Sequence, residues 1–246
     1  MKKDILGIKI DDVTMEEALE IALSFTKCDS AKTVYTPNAE IAMVALQDNE
    51  FLDILNQGDL VIPDGAGVVL ASKIINNPLR QKVAGFDLSS SMLKDPRFHG
   101  KTFFFLGAKP GVAEKAVDMV KVSNPNLQVV GIQHGYFKED ETQQIIRTIN
   151  NLQPDILFVG LGAPRQEKWI HTHKDHLNAK LIMGIGGTID GLAGEVKRAP
   201  DVFVKWNLEW LYRLVKQPKR FGRMLNIPSF LCQAVRYRMK TKKQMS

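Results

Sequence analysis

The sequence predicts a doubly wound α/β fold built on a mostly parallel sheet, with a basic helical appendage at the C-terminus. Three observations carry this. Short apolar, β-branched runs alternate with longer stretches of helical periodicity. Several of these runs are apolar on both faces, as strands are when helices cover both sides of a parallel sheet. After Gly194 the strand signal stops, and aromatic and basic residues take over.

The elements follow in order. A strand is expected at 5–10 (ILGIKI), then a helix at 14–27 opened by Thr14 and Glu17 as a capping box. Next come a strand at 32–36 (KTVYT) and a helix at 38–56, then a strand at 59–63 (DLVIP) and helices at 66–76 and 86–94. Strands at 101–106, 128–133, 155–160 and 180–185 alternate with helices at 110–122, 140–152 and 164–176. Pro110 and Pro164 stand where first-turn prolines belong. The last helix candidate is 203–216, in a tail broken by Pro218 and Pro228. No solenoid repeat or low-complexity linker interrupts the chain.

Composition bounds the function. A length of 246 residues suits one α/β domain with an appendage, and 44% hydrophobic residues suffice for an ordinary core. Cys28 and Cys232 are far apart and match no metal-ligand spacing, which fits a reducing compartment without disulfides. The N-terminus lacks the apolar segment of a signal peptide, and no run reaches the roughly 18 apolar residues of a spanning helix. The net charge of +6 is unevenly placed. Residues 197–246 hold 13 Lys and Arg against 2 acids, leaving 20 basic and 25 acidic groups in the preceding 196 residues. A mildly acidic body with a strongly basic tail suggests an anionic partner: a membrane surface, nucleic acid or a phosphorylated substrate. A solvated C-terminus is the plainer reading.

In doubly wound sheets, ligands bind beyond the carboxyl ends of the strands. Four such ends carry unusual residues. In "TPNAE", Thr36 and Asn38 close a strand and open a helix; Asn38 is a good N-cap, or one of two short polar groups aimed at a sugar or phosphate. In "VIPDGAGVVL", Asp64 leaves a buried strand beside Gly65 and Gly67. It can cap the next helix or act as a general base, with glycines that admit a ligand closely. In "VGLGAPRQEKWI", Gly160 and Gly162 precede Pro164 and a helix start whose N–H groups can hold a phosphate. Arg165, Gln166 and Glu167 then present polar heads, although an acidic first turn also simply suits the helix dipole. In "GIGGTIDGLAGE", Gly184, Gly186, Gly187, Gly191 and Gly194 crowd around Thr188 and Asp190, at an entropic cost that favours a ligand site over a plain loop.

Other chemistries lack their marks. There is no phosphate-binding G-x-x-x-x-G-K-[ST] loop, no G-x-S-x-G elbow and no Asp-x-Asp pair. The third glycine of a dinucleotide fingerprint is replaced by Leu70, which argues against a nicotinamide-dependent oxidoreductase. His171, His173 and His176 read as surface histidines, because 171 and 173 point to different sides of a helix.

The segments "TPNAE", "IPDGAGVV", "VAGFDL", "FFLGAKPG", "HGYF", "VGLGAPRQEKWI", "GIGGTIDGLAGEVKRAP" and "NLEWLYRLVKQPKRFGRM" together resemble the WecG/TagA/CpsF family, glycosyltransferase family 26. They span roughly residues 33 to 225 in the expected order, and the tail resembles the TagA branch, which makes the linkage unit of wall teichoic acid. The resemblance implies a Rossmann-like catalytic domain over 1–194 and a basic, aromatic-containing appendage over 195–246 that closes the active site and contacts membrane. It implies transfer of N-acetylmannosamine from its UDP derivative to the 4-hydroxyl of N-acetylglucosamine on undecaprenyl diphosphate, with inversion and without a metal cofactor. The family's catalytic aspartate falls on Asp64. Thr36 and Asn38 would orient the sugars, and Gln166 would lie near the donor. Gly65, Gly107, Gly160, Gly162, Pro164, Glu167, Gly186, Gly187 and Asp190 would form the substrate cradle. Without a metal, cations must neutralise the departing UDP, a role expected of Arg213, Arg220 and Arg223. Lys82 stands in "QKVAG" where relatives often read "ERVAG", which keeps a charge but not a fork.

The implied partners are a UDP-sugar donor, a lipid-diphosphate acceptor and the anionic inner face of the cell membrane, with the protein cytoplasmic and peripheral. Trp206 and Trp210 are expected to pack, and the stretch from Phe221 to Phe230 to be more exposed at the membrane. Nucleic acid is not an expected partner; apolar surface would support a homo-oligomer. The rival readings are the same family with an N-acetylmannosaminuronic acid or glucose donor, and a non-enzymatic anion- or nucleic-acid-binding protein.

Overall fold

The computed structural model describes residues 1–196, Phe203 and 226–245. The chain opens with a hairpin of β1 (Lys2–Ile5) and β2 (Ile8–Asp11), antiparallel and forming a sheet of its own. The expected single strand over 5–10 is therefore folded in two. Leu6 and Gly7 turn the chain at φ 58° and 91°, both positive, as a two-residue hairpin turn requires. Helix α1 (Met15–Phe25) follows, opened by the expected capping box: Thr14 Oγ1 accepts from Glu17 N–H and Glu17 accepts from Thr14 N–H.

The main sheet contains β3 (Lys32–Tyr35), β4 (Leu60–Val61), β5 (Thr102–Gly107), β6 (Gln128–Gln133), β7 (Ile156–Gly160) and β8 (Leu181–Gly184). Their order is β4-β3-β8-β7-β5-β6, and every pair is parallel. Successive side chains point to opposite faces, so the buried strands feed two cores. Phe104, Leu106, Leu157, Val159 and Ile182 enter one; Phe103, Phe105, Ile156, Phe158 and Met183 enter the other. The first core is covered by α2 (Ala39–Ala45), α3 (Asn49–Asn56), α4 (Ala66–Ile74), α7 (Thr142–Leu152) and α8 (Arg165–His173). The second lies under α1, α5 (Gly85–Met92), α6 (Val112–Ser123) and α9 (Thr188–Leu192). Strands buried on both faces explain the continuous apolar runs in the sequence.

Three expected helices change their bounds. The helix expected over 38–56 is two: the first ends at its C-cap Leu46, and Asp48 caps the second by accepting from Phe51 N–H at 3.0 Å. Pro110 and Pro164 lie outside their helices: Gly111 caps α6 and Pro164 itself caps α8.

The amino edge of the sheet is held by a repeated device. Asp59 accepts from the Thr33 N–H and hydroxyl at 2.9 and 3.1 Å, and Asp155 does the same for Thr102. This edge is locked, which leaves the carboxyl edge for ligands.

The helix expected over 203–216 lies outside the described residues, Phe203 excepted. A long helix, α10 (Asn226–Met245), closes the chain. Pro228 falls in its first turn, where a missing N–H costs nothing. Ile227, Phe230, Leu231 and Ala234 form an apolar stripe that joins the first core, across α2 and α4. Phe230 is fully buried, which corrects the expectation that it faces a membrane. Arg238 donates to the Ile74 carbonyl at the end of α4 at 3.0 Å.

Candidate active site

All six parallel strands end on one edge, and the residues picked out at strand ends converge there. Thr36, directly after β3, is buried and its hydroxyl donates to Gly184 O at the end of β8, at 3.5 Å. Gly85 at the start of α5 packs on it so closely that a Cβ would lie 3.0 Å from Thr36 Oγ1. Asn38 caps α2, its Oδ1 accepting from Ile41 N–H at 3.0 Å. Its amide nitrogen makes no hydrogen bond to a described residue.

Asp64 is half-buried and tied to the same turn, its N–H donating to Pro37 O at 3.2 Å. It does not cap α4. The capping residue is Gly65, at φ +93°, so the carboxylate stands one residue earlier, at the mouth of β4. A Cβ on Gly65 would sit 3.7 Å from Asn38 Cβ, which makes Thr36, Asn38, Asp64 and Gly65 one continuous wall. The loop that carries Lys82 joins it, because Val83 N–H donates to Pro63 O at 3.0 Å. Lys82 is half-buried and forms no ion pair with a described residue.

The adjoining wall comes from β7 and β8, reached through the Thr36–Gly184 contact. Its glycines divide into two kinds. A Cβ on Gly107 would strike Gly160 O, and one on Gly160 would lie 2.8 Å from Gly186 O. These two let the ends of β5, β7 and the β8–α9 turn stack backbone on backbone. Gly162 (φ +77°) and Gly186 (φ +52°) have open space where a Cβ would be, and so can admit a ligand. Gly187 is exposed, with Asp190 Oδ2 3.8 Å from its would-be Cβ.

The first turn of α8 differs from its sequence reading as a set of polar heads. Pro164 caps it, and only Arg165 is exposed. Arg165 donates to Gly135 O and Phe137 O at 3.2 and 3.5 Å and lies over the Phe137 ring, 5.0 Å from its centre. It fastens the "HGYF" loop, from which Tyr136 projects at 67% exposure. Gln166 and Glu167 are buried. Gln166 Oε1 accepts from Gly186 N–H at 2.9 Å and its Nε2 donates to Glu167 Oε1 at 2.7 Å. Burial pushes the Glu167 carboxyl up to about 7. The links through Gly85, Arg165 and the Gln166–Gly186 pair were not visible in the sequence, because each joins residues far apart in the chain. Arg213, Arg220 and Arg223, with Trp206, Trp210, Tyr212 and Phe221, lie outside the described residues.

Among the described residues, no three His, Cys, Asp or Glu side chains stand close enough together to hold a metal ion. His173 packs edge-on against Trp169, 5.0 Å between ring centres.

The model of the glycosyl transferase WecG/TagA/CpsF family fits residues 3–244. The chain belongs to this family. Its relatives include the N-acetylglucosaminyldiphosphoundecaprenol N-acetyl-beta-D-mannosaminyltransferase of Staphylococcus aureus strain MRSA252, 37% identical over 98% of this chain and 95% of the relative. The proteins of the same name from strains MW2 and NCTC 8325 are 36% identical over the same shares. Membership of the WecG/TagA/CpsF family makes the protein an enzyme that transfers a sugar, and sets aside the oxidoreductase and non-enzymatic readings. The residues at the carboxyl edge are those available for that transfer.

Proposed function

We propose that the protein moves N-acetylmannosamine from UDP-N-acetylmannosamine to the 4-hydroxyl of N-acetylglucosamine on undecaprenyl diphosphate, in the linkage unit of wall teichoic acid. The observation that carries the reading is the placement of Asp64: a half-buried carboxylate at a strand mouth, one residue before the N-cap of α4 and tied to the Thr36–Asn38 turn. Inversion needs one direct displacement. Asp64 takes the proton of the acceptor hydroxyl as its oxygen attacks the anomeric carbon. The bond from that carbon to the UDP oxygen breaks, and the electron pair leaves with UDP. Thr36 and Asn38 hold the sugars. The open backbone at Gly162 and Gly186 receives the diphosphate, with Asp190 and the exposed Gly187 beside it.

The reading includes no metal. Charge on the departing diphosphate is neutralised by Lys82 and by Arg213, Arg220 and Arg223 of the tail. The acceptor is a membrane lipid, and no helix among the described residues is long and apolar enough to cross a membrane. In this proposal the enzyme comes to the lipid from the inner face, by the basic surface of its C-terminal region. Arg236 and Lys240 are exposed on α10 beside the exposed Tyr237 and Met239.

The test is UDP release with an undecaprenyl-diphosphate N-acetylglucosamine acceptor, in EDTA. Release from UDP-N-acetylmannosamine that requires the acceptor, and is at least ten times that from the glucose or uronic-acid donors, is expected. Acceptor-dependent release with another donor preferred, or release abolished by EDTA and restored by a divalent cation, would overturn the corresponding part.

A further inference from the structure

Glu167 is an odd residue to bury. Its side chain is fully enclosed, one oxygen bonds Gln166, and the other, Oε2, has no hydrogen-bond partner among the described residues. A buried oxygen without a partner lowers stability, so packing alone does not account for the residue.

The geometry around Gln166 supplies a reason. Its amide is boxed on three sides. Gly184 lies beneath it, where a Cβ would come within 2.9 Å of Nε2. Gly186 N–H meets Oε1 at 2.9 Å, and Glu167 Oε1 meets Nε2 at 2.7 Å. Turning the amide over would set Nε2 against the Gly186 N–H, donor against donor. It would also set Oε1 against the Glu167 oxygen, acceptor against acceptor. Glu167 therefore fixes which end of the amide faces Gly186. Gly186 sits in the left-handed region at φ +52°, with its carbonyl pressed towards Gly160 and its outer face open.

We propose that Glu167 is a positioning residue, whose buried carboxyl orients the Gln166 amide so that it clamps the Gly186 N–H and holds the β8–α9 turn open towards the diphosphate. It acts through Gln166 and touches no substrate. The word diphosphate rests on the donor reading above; the clamp itself does not.

The experiment uses the full chain and three variants, with two readouts: hydrogen exchange at Gly186 N–H, and UDP affinity by calorimetry. Glu167→Gln keeps an acceptor oxygen for Gln166, so exchange stays native-like and UDP affinity stays within twofold. Glu167→Met removes it: Gly186 exchanges at least tenfold faster and UDP binds at least fivefold more weakly, with no fall in melting temperature at pH 8. Gln166→Met cuts the clamp from the other side and gives the same pair of losses, and adding Glu167→Met to it changes neither further. Native Gly186 protection in a folded Glu167→Met chain overturns the proposal. So does native protection in Gln166→Met, the deciding variant should Glu167→Met not fold. If the native chain does not bind UDP, the donor reading fails, while the exchange data still decide the clamp.

Discussion

Glu167 also sets a pH signature at the scale of a single residue. Among the described residues its carboxyl bonds the Gln166 amide and acts through space on the Tyr35 phenol of β3, while Lys168 pairs with Asp48 and Glu50 instead. Burial raises its carboxyl from the ordinary 4.5 to about 7 in the folded chain. The folded state therefore binds the proton more tightly than the unfolded one. The contribution is fully favourable below pH 4.5 and is lost as pH rises through about 7. The gap corresponds to about 3 kcal/mol. Denaturant titrations at pH 5 and pH 8 should show Glu167→Gln gaining stability relative to the native chain at the higher pH; an equal difference at both would contradict it. Glycines give a second residue-scale prediction. Gly107→Ala drives a Cβ into Gly160 O and should cost more than ~3 kcal/mol in thermal or denaturant unfolding. Gly186→Ala, with open space, should cost only ~1–2 kcal/mol for its left-handed backbone, and should weaken UDP binding instead.

Among elements, α10 matters most beyond the sheet. Its stripe at 227, 230, 231 and 234 has the spacing of a helix face that covers a core. The sequence places Phe230 in a basic, aromatic tail with a proline two residues earlier, which reads as an interrupted surface segment. Only the partners on α2 and α4 show that the stripe is enclosed. Phe230→Ala should cost about 3–5 kcal/mol, the ordinary price of a large ring removed from a core; a loss below ~1 kcal/mol would show that α10 is not seated there. The central strands were legible because burial on both faces makes them uniformly apolar: β7 lies at Ile156–Gly160 within the segment expected at 155–160. The hairpin at 2–11 was not, because its turn residues Leu6 and Gly7 sit inside an apolar run. Nor was the break between Leu46 and Asp48, since a helix ending and a helix starting share one periodic pattern.

Across the whole molecule, the two sheet edges divide the work: Asp59 and Asp155 lock the amino edge, and the carboxyl edge gathers Thr36, Asn38, Asp64, Gly162 and Gly186. That gathering was legible, because a parallel sheet sends every strand end to one side. The Gln166–Gly186 and Gly85–Thr36 contacts were not, because no local pattern records a pairing across separate loops. The basic C-terminal region supports a prediction at the same scale. Arg236→Ser with Lys240→Ser should weaken binding to phosphatidylglycerol vesicles about 30-fold at low salt, at roughly 1 kcal/mol per charge; unchanged binding would place the membrane contact elsewhere. In the proposed reaction, sugar transfer at this edge turns on Asp64. Its most direct test is acceptor-dependent UDP release by Asp64→Asn, with UDP-sugar affinity measured beside it. A fall of about 10²–10⁴-fold in turnover with donor affinity kept within threefold is the predicted result. Turnover within tenfold of the native enzyme would contradict it and place the base at another residue.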